Sequence, residues 1–289
     1  MHPAPSVILF TALSGLGLGF LIWLGSGVLS LSGWPAFFAW GFGYALTTGG
    51  LLASSFHLGN PQRALLAFTQ WRSSWLSREA WASCLTLLTF APQALSDWLD
   101  LGWGRGFGIA GAVLALATLL STAMIYAQLK TVPRWHHWLT PVSFLAFALT
   151  GGVLLAEPGP AAAGFCLILA LVMVAQWAVG DGAFARAGET MESATGLTGG
   201  RLRVFEQPHT GGNYLMREMI HVVGRKHSRK LRGIALVAAA LLPALLTLVL
   251  PPLAAAPLAG ALHMIGVFAA RWLFFAEAEH VVGLYYGQR

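Results

Sequence analysis

Residues 54–81 read SSFHLGNPQRALLAFTQWRSSWLSREAW. The stretch begins at the end of one apolar run and finishes inside the next. Between them stand His57, Arg63, Arg72, Arg78 and Glu79. Gly59 and Pro61 turn the chain sharply and end the first run. The chain then returns on a partly apolar segment carrying Arg63, the pattern of a helix lying at a membrane surface. Apolar run, polar turn, apolar run predicts two spanning helices joined at one face of a membrane.

Composition extends this reading to the whole chain. Its 289 residues are 56% hydrophobic and 10% charged, where soluble domains carry about a quarter charged residues. The mean hydropathy is +0.67, which points to a polytopic membrane protein. The 34 glycines, with Ala, Ser and Thr, suit close helix packing in lipid. Several of the 12 tryptophans fall near the ends of apolar runs, where interface anchors belong. Cys84 and Cys166 lie inside apolar runs without CxxC spacing and read as small buried hydrophobes. Two such residues build neither a zinc site nor a cysteine-ligated iron–sulfur cluster. Any clusters must sit on a partner.

Eight runs are long enough to span: Ser6–Gly27, Pro35–Leu58, Ser77–Leu95, Phe107–Leu129, Trp138–Glu157, Pro160–Val179, Leu231–Leu250 and Pro257–Gly283. The expected fold is all-α, a single eight-helix membrane-anchor domain over 1–289, with a long polar loop at about 180–230. MHPAPSVILF lacks a basic leader and a cleavage site, so the first run is expected to be a retained helix. The glycines at 15, 17 and 19 lie mid-helix with no preceding strand, which excludes a nucleotide loop.

Eight spans put both termini and the loops after runs two, four and six on one side. Of the 17 Lys and Arg, only Arg105 falls on a loop of the other side. Positive residues favour the cytoplasm, so both termini are expected to be cytoplasmic, in a bacterial inner membrane. The loop ends in REMIHVVGRKHSRKLR, which fits lipid headgroups and a docking surface for a cytoplasmic partner alike.

Ionisable groups at spanning helices are functional candidates because lipid solvates them poorly. His57 closes the second run, either as a helix C-cap or as a ligand-facing imidazole. Glu79 enters the third, either as a carboxylate favoured by the helix N-terminus, with Arg78 neutralising it, or as a proton donor. Tyr126, near the end of the fourth run, is a candidate hydrogen-bond donor to a ligand oxygen. TVPRWHHWLTP, residues 131–141, lies on the same side; Trp135 and Trp138 read as interface anchors, and the adjacent His136 and His137 point apart. Arg271 is the deepest charge and requires an anionic or carbonyl partner. Glu277 and His280, three apart, are expected to share a helical face. His57 and His280 are the one conceivable axial pair for a b-type haem.

HLGNPQRA at 57–64, Glu79 within SREA, and TVPRWHHWLTP resemble the membrane anchor subunits of the dimethyl sulfoxide reductase group. The resemblance covers roughly residues 50–145. It implies an eight-helix anchor that binds quinone, ubiquinone or menaquinone, without haem. It further implies an iron–sulfur subunit and a molybdopterin catalytic subunit as partners. His57 and Glu79 match the family's quinone-site histidine and glutamate, and Arg63 its motif arginine. PHTGGNYLMREMIHVVGRKHSRKL and RWLFFAEAEHVVGLYY depart from that type and look like the anchor of cytoplasmic sulfite-oxidising complexes.

The expected function is therefore to pass electrons from sulfite oxidation to quinone. His57 and Glu79 would act on the headgroup, and Arg63, Arg72, Arg78 and Tyr126 would line its site. The alternatives are a quinol-oxidising anchor of an S-oxide reductase, a haem-bearing anchor, a purely structural anchor, and a transporter. No internal repeat supports the last.

Overall fold

The computed structural model describes residues 1–56, 60–197, 200–206, 211–220 and 227–287. The described residues are helical, without strands. Six long helices come first: α1 Pro5–Ser26, α2 Gly33–Ser55, α3 Trp75–Leu99, α4 Gly106–Ala127, α5 Leu139–Ala156 and α6 Pro160–Asp181. Two short helices follow, α7 Ala183–Ala187 and α8 Met191–Thr195. Two long ones close the bundle, α9 Ser228–Val249 and α10 Pro252–Ala276. Seven of the eight long helices are apolar enough to cross a membrane by composition. The eighth, α3, has the length, 25 residues, but carries Arg78, Glu79 and Asp97.

α1 is the centre. It packs against α2, α4 and α5, and small residues set the spacing. A Cβ on Gly19 would lie 1.8 Å from the Ala148 carbonyl oxygen of α5, and one on Gly108 of α4 would lie 2.2 Å from the Gly25 carbonyl oxygen. Backbone meets backbone at both crossings, as membrane helices do where small residues replace a hydrophobic driving force.

Both chain ends gather at one face. The Met1 ammonium donates to the Ala278 carbonyl at 2.7 Å, and Val281 N–H donates to the Thr131 carbonyl at 3.0 Å. Asn213 donates to the Tyr286 hydroxyl at 3.0 Å, and the Tyr285 hydroxyl donates to the Ala194 carbonyl. Termini, the α4–α5 connection and the polar loop thus form one terminal face. On the opposite face Arg105 is held by Asp97 at 2.9 Å, and Trp40 and Gln93 also donate to that carboxylate.

Most helix ends shift by one to a few residues from expectation, and three of the shifts bear on the site. α10 begins at Pro252, not Pro257; Pro252 occupies the first helical position, where its missing N–H is not needed, and Pro257 is carried inside the helix. α10 also stops at Ala276 rather than Gly283, so Glu277 and His280 do not share a helical face. His280 is extended and caps a separate 3-10 helix, Val281–Tyr286, by accepting from Val282 N–H at 3.0 Å. α3 begins at Trp75, two residues before Ser77, which moves Glu79 into the second turn.

The tryptophans divide. Trp34 and Trp103 at one face, and Trp71 and Trp138 at the other, are exposed as interface anchors should be. Trp135 is not an anchor. It is fully buried, stacks on Phe274 at 5.1 Å, and donates from Nε1 to the Phe274 carbonyl at 2.9 Å.

Candidate functional site at the terminal face

The segment after α2 lies along the terminal face. It holds a 3-10 helix, Pro61–Phe68, with Leu65, Leu66 and Trp71 exposed. Trp81 of α3 donates to the Phe68 carbonyl at 3.0 Å and pins the segment to the helix start. Arg63 and Arg72 are exposed, and the Arg72 guanidinium stands 5.3 Å over the Trp71 ring. Arg78 donates to the carbonyls of Trp71 and Arg72, at 3.0 and 2.7 Å, and lies 4.3 Å over Trp75. These arginines shape the surface segment. Among the described residues none pairs with Glu79, and Arg78 does not neutralise it. His57 lies outside the described residues.

Glu79 turns inward and is 4% exposed. The Thr122 hydroxyl of α4 donates to its Oε1. Thr122 also sits 3.1 Å from the Thr118 carbonyl. A hydroxyl has one hydrogen, and a carbonyl only accepts. With the Glu79 carboxylate ionised, Thr122 donates to it. With the carboxyl protonated, Glu79 donates to Thr122, which donates onward to Thr118. The same three groups serve both states without moving a helix. Thr122 escaped the sequence reading, although its position four residues before Tyr126, on the same helical face, was visible.

Tyr126 is buried one turn further along α4, ringed by Trp135, Phe144, Phe274 and Phe275. Its hydroxyl makes no hydrogen bond among the described residues. It is within electrostatic reach of both Glu79 and Arg271. Glu79, Thr122, Phe144 and Arg271 each stand one to two turns inside the terminal end of their helices, so they form a layer at one depth.

Arg271 is the exception to pairing. It is 3% exposed, and its Nε has no partner among the described residues. Its guanidinium lies 3.6 Å over Phe144 and 5.2 Å from Phe147. Cation–π contact returns about 0.5–2 kcal/mol, whereas burying an unpaired cation costs several. The carboxylate six residues on is already taken: Glu277 accepts from Arg134 at 2.5 Å and from Arg232 at 2.7 Å. Both arginines also hold Asp181, at 2.9 and 2.5 Å. This four-residue cluster joins the α4–α5 connection to the ends of α6, α9 and α10. Glu277 caps a helix C-terminus, where a carboxylate is disfavoured, and the two guanidiniums offset that.

Three further histidines, His263, His136 and His137, bond to the backbone. His263 donates from Nδ1 to the Ala239 carbonyl at 2.7 Å, and its Nε2 lies 3.2 Å from the Phe147 carbonyl. His136 donates to the Ala127 carbonyl at 2.7 Å, and His137 accepts from Leu139 N–H at 3.2 Å. Among the described residues no group of three His, Cys, Asp or Glu is placed to hold a metal; both cysteines are free, Cys166 buried as expected and Cys84 exposed on the outer side of α3, against expectation.

A helical bundle whose buried acid and unpaired donors collect beneath one basic face has the form of a membrane anchor of a larger complex. Residues 1–175 match the family model described as DMSO reductase anchor subunit (DmsC), and the chain belongs to that family. It is 31% identical to the C subunit of the sulfite dehydrogenase of Allochromatium vinosum, over 99% of this chain and 99% of that one.

Proposed function

We propose that this protein reduces quinone at its terminal face, taking electrons released by sulfite oxidation on partner subunits. One arrangement carries the reading: a buried carboxyl, Glu79, with a two-way hydroxyl relay at Thr122 and a free phenol at Tyr126 one turn away. Reduction of a quinone consumes two electrons and two protons, and the bound quinone supplies that redox chemistry. The chain supplies position and protons. Tyr126 donates a hydrogen bond to a headgroup oxygen. Glu79 gives up a proton and is restored through the terminal face. His57, from its place in the HLGNPQRA motif, serves the other oxygen.

The partners are an iron–sulfur subunit and a molybdopterin catalytic subunit. They dock on the basic terminal face, which is cytoplasmic. Charge supports that orientation: the far face carries Arg105 alone, and Asp97 neutralises it.

The test separates sulfite oxidation from quinone reduction. In purified complex, Glu79→Gln and His57→Ala should leave sulfite-dependent reduction of a soluble artificial acceptor intact. Quinone reduction should fall about 100-fold, the range of a lost general acid. Tyr126→Phe should raise the quinone KM more than it lowers kcat. Normal quinone turnover in all three variants would remove the assignment.

A further inference from the structure

A groove lies on the other side of the aromatic cluster from Glu79, between α6 and α10. The groove is open on one side; its free space is about 460 Å³ counting the part open to the outside, of which about 30 Å³ takes the centre of a water molecule. Its walls combine aromatic rings, Trp135, Phe147, Trp177 and Phe274, with the polar side chains of Gln176, Arg134, Arg271 and Glu277. Arg271 lines it and also borders a second, smaller cavity of about 10 Å³ beside His263. A nearly fully buried guanidinium, with no hydrogen-bond partner for its Nε among the described residues, therefore borders open space lined in part by aromatic rings.

We propose that this groove is a second binding site for a planar, lipid-soluble carbonyl compound of the quinone class, with Arg271 donating to its oxygen. The identity of the ligand rests on the quinone reading above; the site itself does not. A small set of polar groups in an aromatic cleft is the usual build of a small-molecule site. The polar set here is selective. Arg134 and Glu277 are engaged in their own cluster, so Arg271 and the Gln176 amide are the lining donors left to meet a ligand. A carbonyl oxygen accepts from Arg271 without introducing a second full charge into lipid. The Tyr126 ring packs edge-on against Phe274 and Trp135, so one aromatic wall separates the two sites and couples their geometry.

Equilibrium dialysis of the purified complex against a radiolabelled decyl-benzoquinone tests this. Wild type should bind two equivalents per anchor chain. Arg271→Met should bind one and melt no lower than wild type, since the substitution removes an unpaired buried charge. Arg271→Lys, which keeps the charge but loses the fork, should weaken one class tenfold or more; it also decides the matter if the methionine variant fails to assemble. Glu79→Gln should leave the Arg271-dependent class unchanged. A second equivalent indifferent to both Arg271 variants, or its absence from wild type with the one class dependent on Glu79, overturns the proposal. A lone class that follows Arg271 and ignores Glu79 and Tyr126 keeps the groove and removes the first site instead.

Discussion

Thr122 is a residue whose single hydroxyl decides what Glu79 is able to do. It is the one partner Glu79 has among the described residues, and its contact with the Thr118 carbonyl lets it serve the carboxyl in either protonation state. Thr122→Val keeps shape and removes the hydroxyl. A buried polar group left unsatisfied costs about 1–3 kcal/mol, so the variant should melt lower than wild type and lose quinone reduction with it. Thr122→Ser should restore both. Thermal unfolding in detergent, run beside the quinone assay, checks this; a valine variant equal to wild type in both would show that the hydroxyl is incidental. The sequence marked Glu79 and Tyr126 because both stand out against apolar surroundings. It did not mark Thr122, because threonines that back-bond within membrane helices are common and look alike in one dimension. Arg271 was visible as the deepest charge; that it lacks a partner was not, since Glu277 six residues on looks available until Arg134 and Arg232 are folded against it.

Helices were legible as elements, and their ends less so. Long apolar runs fix where α1, α4, α5 and α6 lie, whereas the end of α10 depends on contacts remote in sequence. The last run is expected to reach Gly283, but Glu277, Glu279 and His280 interrupt it, the Met1 ammonium takes the Ala278 carbonyl and the Thr131 carbonyl takes Val281 N–H, which favours an extended link over another helical turn. His280 then caps the closing 3-10 helix through Nδ1 as an acceptor, a role open only to the neutral ring. Burial, and secondarily the nearby N-terminal ammonium, hold its pKa below the usual histidine value. The unfolded imidazole therefore binds a proton more readily than the folded one. The sign follows: the stability this cap contributes is complete above the ordinary histidine pKa of about 6.5 and is lost as pH falls below it. Melting temperature should drop between about pH 7 and 5 more steeply in wild type than in His280→Asn, which keeps an acceptor that does not titrate. Parallel profiles for the two proteins would exclude the cap as the titrating element.

At the scale of the whole molecule, charge asymmetry was legible because it needs only counting, and the Arg105–Asp97 pair sharpens it by neutralising the far face's one cation. The long polar loop gave its composition but not its attachment. The Asp181–Arg134–Glu277–Arg232 cluster supplies part of that attachment: two carboxylates and two guanidiniums, from four places far apart in sequence, close the terminal ends of α6, α9 and α10 over the aromatic layer. The α1-centred packing of α2, α4 and α5 owes nothing to this cluster, whereas in the half built from α6, α9 and α10 the ions add to an apolar core of Leu169, Met173, Ala239, Val267 and Leu273. Glu277→Gln tests the division. Removing one member of a buried pair costs about 3–5 kcal/mol, and because Arg134, Arg232 and Asp181 keep some solvent, the low end, about 3 kcal/mol, is expected. Amide exchange should rise at the start of α9 and in the 131–138 connection while α1 and α5 keep their protection. Uniform loosening of both halves would mean that the cluster braces the entire bundle, and unchanged exchange would mean that packing alone holds α9 and α10 in place.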